Sequence, residues 1–242
     1  MRDVDAVLLS RFAGVGLNLV GATTVAAYDA RVGPERGLAQ RAPAARGIVV
    51  VGNGGGAFWA AFRAAVPHPV DPADHPLDGF TRAVVEAAAR DFETVGTVFP
   101  FDARDALDFR LLAELAGLGR PSLLGVLVHP EFGPWIALRA ALLVPDAVRA
   151  PRPADGFDPC PSCVERPCIT ACPVGAVGPT GWDVARCAGH RLSEAGRCDD
   201  ACGARVACVY GGAHRLPPDA LAFHQAAARR TMTAYARAAT ST

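Results

Sequence analysis

Lysine is absent from this chain of 242 residues: all 24 basic side chains are arginine, set against 24 aspartates and glutamates. That absence excludes Schiff-base chemistry and the phosphate-gripping lysine of a P-loop. The balance of charge leaves a formal net charge of zero, so no overall basic footprint for a nucleic-acid backbone exists and no bulk nucleic-acid partner is expected. Long apolar runs are also missing. GIVVV, LLGVLV and ALLVP are too short to cross a bilayer, so no membrane partner is expected. The start, MRDVDAVLLSRFAGVG, carries acids where a signal peptide needs bases, and the expected location is the cytoplasm. Cysteine is absent from the first 159 residues; in a reducing compartment structural disulfides are not expected.

What is present alternates strands with helices. VDAVLLSRF reads as a helix and LNLVGATTV as a strand; GIVVV at 47–51 reads as a strand covered on both faces. GNGGG breaks that strand and opens the helix AFWAAFRAAV, and a Pro-rich loop, PHPVDPADHP, leads to a helix over LDGFTRAVVEAAARDF with Phe80, Val84, Ala88 and Phe92 near one face. Strands are expected at 95–101 and 123–128, with a helix at 105–116; WIALRAALLV at 135–144 fits a strand or a helix, and the Gly-Pro turn before it favours a strand. The fold class is therefore α/β, as a domain spanning 1–150, followed after a Pro-rich linker at 145–159 by a second domain over 151–242 that ends in a helix at 219–238.

Eight cysteines fall at 160, 163, 168, 172, 187, 198, 202 and 208, the first four spaced Cx2Cx4Cx3CP. Three close ligands and a fourth followed by proline form the pattern by which a loop wraps thiolates around a 4Fe–4S cluster, the fourth going to a second cluster. By that crossover rule Cys160, Cys163, Cys168 and Cys208 hold one cluster, and Cys172, Cys187, Cys198 and Cys202 the other. Structural zinc, usually held by two separated CxxC knuckles, is the competing assignment. The second half is looser, Cx10Cx3Cx5C, and Val209 stands where a proline would follow Cys208.

The segment CPVGAVGPTGWDVARC resembles the cluster region of epoxyqueuosine reductase and its relatives among the reductive dehalogenases, with Pro179, Asp183, Arg186 and Cys187 in matching places. AGLG at 116–119 and HPEFGPW at 129–135 are similar to elements of the same family. GVLVHPEFGPWIALRAALLVP is equally similar to the CblC-type cobalamin-processing protein. The resemblance implies a nitroreductase-like α/β domain, a dicluster ferredoxin-like domain, and a cobalamin beside His129, Phe132, Gly133 and Trp135. It places Asp102 or Asp105 near the family's proton-donating acid. RPSLLG after AGLG departs from the family's Gly-Lys-polar stretch and puts the queuosine substrate in doubt.

From the residues themselves, the N–H groups around Gly52, Gly54 and Gly55 are candidates to cradle a phosphate or a corrinoid amide, against the simpler role of a tight turn. Asp102 is equally a helix cap. His190, Arg191, His214 and Arg215 flank the second cysteine group, where they would bond cluster sulfides or merely cover the surface. The expectation is an iron–sulfur oxidoreductase passing electrons from a reduced ferredoxin or flavodoxin through two 4Fe–4S clusters to cobalamin, with FMN as the substitute cofactor and a cobalamin or other small molecule as substrate. The rivals are a non-catalytic electron carrier or cobalamin chaperone, and a zinc-stabilised binding module.

Overall fold

The computed structural model describes residues 2–66, 75–102, 107–150, 156–193 and 198–240. Most of the expected Pro-rich loop, part of the linker, and Asp105 lie outside these residues. The chain begins with β1 (Arg2–Asp3), α1 (Ala6–Gly14), β2 (Leu19–Thr24), α2 (Val25–Val32) and α3 (Leu38–Arg41). It continues through β3 (Gly47–Gly54), α4 (Ala57–Ala65), α5 (Pro76–Ala88), β4 (Gly96–Val98) and α6 (Phe109–Leu115). Short β5 (Arg120–Pro121) and β6 (Leu127–Val128) precede β7 (Ile136–Val144) and β8 (Val148–Arg149). The cysteine-bearing part comprises α7 (Pro159–Ser162), α8 (Pro167–Thr170), β9 (Val177–Gly178), β10 (Gly181–Trp182), α9 (Val184–Leu192) and α10 (Gly203–Val206), and α11 (Pro218–Thr240) closes the chain.

Helix starts follow local side-chain chemistry. Asp5, Thr24, Asp108 and Asp183 each accept a hydrogen bond from a backbone N–H of the first turn they precede, at 2.6, 3.1, 3.0 and 2.9 Å, satisfying donors that a helix leaves unpaired.

The main sheet has the order β2–β3–β7–β4 and every pairing in it is antiparallel. β3 is buried along its whole length, as expected of a continuous apolar run, and its side chains divide with the period of two that a pleated strand imposes. Val49 and Val51 join Leu142 and Val144 of β7 in a core completed by α1, α4 and α5. Ile48 and Val50 join Ala141 and Leu143 in a second core beneath α2 and α6. The sheet is thus a middle layer between helices, although antiparallel. Among the described residues no helix is long and apolar enough to cross a membrane.

Three expectations shift. β3 does not stop at Val51 but runs through Gly52, Asn53 and Gly54, past a register shift against β7 between Val51 and Gly52; the partner strand supplies the hydrogen bonds that local propensity did not promise. Of the strand expected at 123–128 only Leu127–Val128 forms, because Ser122–Gly125 turns with Gly125 at a φ of 74°. The face that α5 buries is Leu77, Thr81, Val85 and Ala88; of the expected stripe Ala88 lies on it, while Phe80, Val84 and Phe92 flank it, half-buried.

Residues of the sheet unit and of the cysteine region meet backbone to backbone. Gly133 (φ 57°) and Gly211 (φ 68°) lie against each other's neighbours: a Cβ on Gly133 would collide with the Tyr210 carbonyl oxygen, and one on Gly211 with that of Phe132. Both need the left-handed conformation and the missing side chain. Gly133→Ala is expected to lower the unfolding free energy by more than about 2 kcal/mol in urea titration. Gly79→Ala, in open space at an exposed position of α5, should raise it by roughly 0.5–1 kcal/mol.

Candidate functional site

The eight cysteines are all free thiols, and they sort into two groups of four. Cys160, Cys163, Cys168 and Cys208 wall one cavity with Leu123, Leu124, Pro159 and Tyr210. Cys172, Cys187, Cys198 and Cys202 wall another of roughly 200 Å³ with Trp182, His190, Arg191 and Met232. Sequence neighbours Cys168 and Cys172 thus separate at the end of α8, and Cys208 returns from beyond the second group to complete the first. Among the described residues no three His, Cys, Asp or Glu side chains stand where they would hold a single metal ion; the thiols surround cavities.

The donor chemistry of both quartets suits a cationic iron–sulfur core. Burial pushes the Cys168 thiol up, and Cys208, Cys160 and Cys163 push it further. Burial likewise raises Cys198, with Cys202 adding to it. Thiolates so placed repel one another, and four of them persist together only around a cation. Backbone N–H groups already point at sulfur: Leu123 N donates to Cys160 Sγ at 3.4 Å and Ala176 N to Cys172 Sγ at 3.2 Å. Burial pushes Cys172 up, but the N–H groups of Val174, Val177, Ala176 and Gly175 together bring it below the ordinary thiol value.

The second quartet has unspent donors as well. His190 Nε2 and Arg191 Nε are buried without a hydrogen-bond partner, and both residues line its cavity. Arg191 is 7% exposed and is anchored by Nη2 on the Gln225 carbonyl oxygen of α11 at 2.7 Å. A buried guanidinium with an empty donor beside four sulfurs is costly unless an acceptor sits among them, and cluster sulfide would be one.

The turn RPSLLG, noted in the sequence only as a departure, lies between the quartets. Leu123 and Leu124 pack against the small core of Cys168, Val177 and Ala204, Leu124 lines both cysteine cavities, and Gly125 leaves room for the ring of Trp182.

A third cavity, of roughly 190 Å³, lies beside the second quartet, with Val126 and Arg205 lining both. Its walls are Phe58, Trp59, Leu77, Trp135, Ile136 and Leu216, and its polar groups are Asn53, Arg139, Arg205 and His224. Arg139 donates Nε to Asn53 Oδ1 at 2.8 Å and lies 4.8 Å over the Phe58 ring. Arg205 donates Nε and Nη2 to the Pro134 carbonyl oxygen at 3.1 and 2.6 Å and covers Trp135 at 4.7 Å. No carboxylate lines this cavity among the described residues. Burial lowers Arg139 to about 10, still charged at neutral pH. Burial, with Arg139 and Arg205 beside it, lowers His224 to about 4. Arg139 could have been flagged in the sequence as a lone charge inside the run WIALRAALLV; nothing local marked Arg205 or His224.

Of the residues expected to hold a cofactor, Gly55 and Trp135 line the third cavity. The rest are engaged by the fold. Gly54 N–H goes to Asn18 Oδ1 at 2.7 Å and Gly55 N–H to the Trp135 carbonyl oxygen at 2.9 Å, so neither donor is left to cradle a phosphate. Gly52 sits in the β3–β7 ladder, paired with Leu138. The Phe132 ring fills the space where Gly54 lacks a side chain. His129 Nδ1 accepts from the N–H groups of Glu131 and Phe132 at 3.1 and 3.2 Å within its own turn, and burial lowers its pKa. Asp102 is ion-paired with Arg82 at 2.6 Å and is not among the residues lining the third cavity. At roughly 190 Å³ the third cavity is smaller than the pockets of about 300–1,000 Å³ that drug-sized ligands occupy, so among the described residues it does not by itself enclose a whole corrinoid or flavin.

No protein-family model matches the chain, and no curated protein matches its sequence. Solved structures share its mixed α/β fold. An epoxyqueuosine reductase solved with an epoxyqueuosine-modified tRNA-Tyr stem loop aligns with a TM-score of 0.57 at 18% identity over 86% of this chain and 65% of that one. The Caenorhabditis elegans B12-trafficking protein CblC gives 0.52 at 12% identity, over 90% of this chain and 89% of that one. A catabolic reductive dehalogenase gives 0.51 at 17% identity, over 83% of this chain and 31% of that one. The chain thus spans less than two thirds of that epoxyqueuosine reductase and a third or less of the dehalogenase. The likeness agrees with the resemblance seen in the sequence and is one of fold.

One expectation is corrected. The zero net charge argues against a bulk nucleic-acid partner, yet a protein of this fold is solved with a tRNA stem loop. Net charge averages over the whole surface, whereas phosphates are contacted locally, so neutrality of the total excludes nothing.

Phe132→Ala is expected to cost about 3 kcal/mol of stability, equally with and without added cobalamin. Stabilisation of the wild type by cobalamin that the variant loses would mark the ring as a ligand wall.

Proposed function

We propose that this chain is an iron–sulfur redox protein that carries electrons through two 4Fe–4S clusters to a small acceptor in the third cavity. The observation that supports it most directly is the sorting of eight cysteines into two quartets that interleave in sequence, Cys172 serving the second and Cys208 the first. Each cluster would pass one electron at a time. Residues 1–150 then form the unit that contributes most of the acceptor cavity, and residues 151–242 the unit that binds the clusters.

The chain's own residues suggest a direction. The second quartet shares Arg205 and Val126 with the third cavity, which makes it the exit. Its neighbouring Arg191 and the unspent donors favour added negative charge, and so a higher potential, there. The first quartet adjoins Val164 and Val209, which are 94% and 55% exposed; apolar surface beside a redox centre suits a transiently docking donor such as a reduced ferredoxin or flavodoxin. Arg205 ties the two units by its bonds to Pro134, and Leu124 fills the space between the quartets. The fold likeness to reductases supports reductive chemistry. Because one of those reductases was solved with a tRNA stem loop, RNA belongs among the substrates to be titrated.

Anaerobic reconstitution should yield about eight irons and eight acid-labile sulfides per chain. Cys160→Ser and Cys208→Ser should each remove the same cluster signal in electron paramagnetic resonance, and Cys187→Ser and Cys198→Ser the other. Two bound zinc ions without iron, or Cys160→Ser and Cys208→Ser affecting different signals, would overturn the reading.

A further inference from the structure

The third cavity is unusual in its charge. Two arginines line it with no carboxylate among its walls, and neither is paired with an acid in any ion pair among the described residues. Asp78 acts on Arg139 electrostatically but does not line the cavity, and it pairs with His75 at 3.4 Å. The positive charges are held by neutral partners: Asn53, 5% exposed, on Arg139 and a proline carbonyl oxygen on Arg205. Their faces rest on Phe58 and Trp135. Arg139 and Arg205 keep part of their surface accessible, and the terminal nitrogens of Arg139 have no hydrogen bond among the described residues. Cys202 of the second quartet acts on Arg205 electrostatically, but neither guanidinium has a carboxylate partner in this enclosed, aromatic-walled space, which favours an anion that would supply the missing charge. The remaining walls, Trp59, Leu77, Ile136 and Leu216, offer nothing polar but the Trp59 indole, whose Nε1 is taken by Asp219 at 2.9 Å.

We propose that this cavity binds a small organic anion, a carboxylate on a compact apolar body, with Arg139 and Arg205 receiving the carboxylate and Trp59, Trp135 and Ile136 the body. The volume of roughly 190 Å³ admits about ten non-hydrogen atoms at the packing density of protein interiors. Asn53 fixes the Arg139 guanidinium, and α11, through His224 and Leu216 just before it, closes one side. The site deepens the redox reading by naming the chemical class of the acceptor, but binding can be measured without electron transfer. Iron content and cluster signals test one, and ligand affinity the other.

The test is calorimetric titration of the iron-loaded full chain with cyclohexanecarboxylate, its neutral amide cyclohexanecarboxamide, and inorganic phosphate. The carboxylate should bind at least tenfold more tightly than the amide, with phosphate weaker than the carboxylate. Arg139→Met and Arg205→Met should each raise the carboxylate dissociation constant at least tenfold and leave that of the amide unchanged. Should those variants fold poorly, Asn53→Asp provides a near-isosteric alternative: its carboxylate would neutralise Arg139 from within and should weaken carboxylate binding at least tenfold while iron content stays at the wild-type level. Equal affinities for acid and amide, no carboxylate binding at millimolar concentration, or phosphate binding as well as the carboxylate would overturn the proposal. A carboxylate-selective site in a chain that takes up no iron would uphold it and sink the redox reading instead.

Discussion

The arrangement depends on the close approach of two turns, Phe132–Gly133 after β6 and Tyr210–Gly211 after the last cysteine. Each presents bare backbone to the other, and both glycines occupy the left-handed region. That contact brings the N-terminal end of β7 against the cysteine loops. Trp135, Arg139 and Arg205 then share one cavity, and Leu123 and Leu124 reach the sulfurs. A side chain on either glycine would push the two units apart by its own thickness, and the shared wall of Arg205 and Val126 would open.

The cysteine region could not hold this position alone. Its own apolar core among the described residues is small, Cys168, Val177 and Ala204 with a few half-buried neighbours, too little to order a region of short helices and two-residue strands. Three supports make up the difference. The Leu123–Leu124 turn enters from the sheet unit. α11 joins α9 through Arg191 and Gln225 and joins α4 through Trp59, whose ring lies 5.1 Å from that of Phe223. The quartets themselves, once bridged by a metal core, would cross-link four separate stretches of chain. Function and stability therefore draw on the same residues. Arg191 and Arg205 beside the second quartet have no carboxylate partner in any ion pair among the described residues, a cost that a purely structural core would avoid.

Much of the scaffold was legible in the sequence because it rests on local chemistry. The β-branched run at 47–51 reads as a doubly covered strand, residues 219–238 read as a closing helix, and the Gly-Pro turn before WIALRAALLV favours a strand there despite its central arginine. The misreadings have physical causes. Gly52 and Gly54 look like strand breakers, but pairing with β7 keeps them extended. LLGVLV looks like six strand residues, but Gly125 turns it so that two leucines face the sulfurs. Phe132 and His129, read from their motif as ligand contacts, also serve the fold: one fills the hollow above Gly54 and the other bonds its own turn.

By itself the sequence determined the number and kind of potential metal ligands, the spacing that suits clusters, and the helices and strands that capping and periodicity dictate, since these depend on residues within a few positions of one another. Only the tertiary structure decided that the RPSLLG turn lies between the quartets and that Arg139, Arg205 and His224 share one cavity without an acid. Those neighbours are separated by up to 85 positions along the chain. Their meeting is set by sheet register, glycine-permitted backbone contact and the docking of α11, none of which is written in any single stretch of sequence.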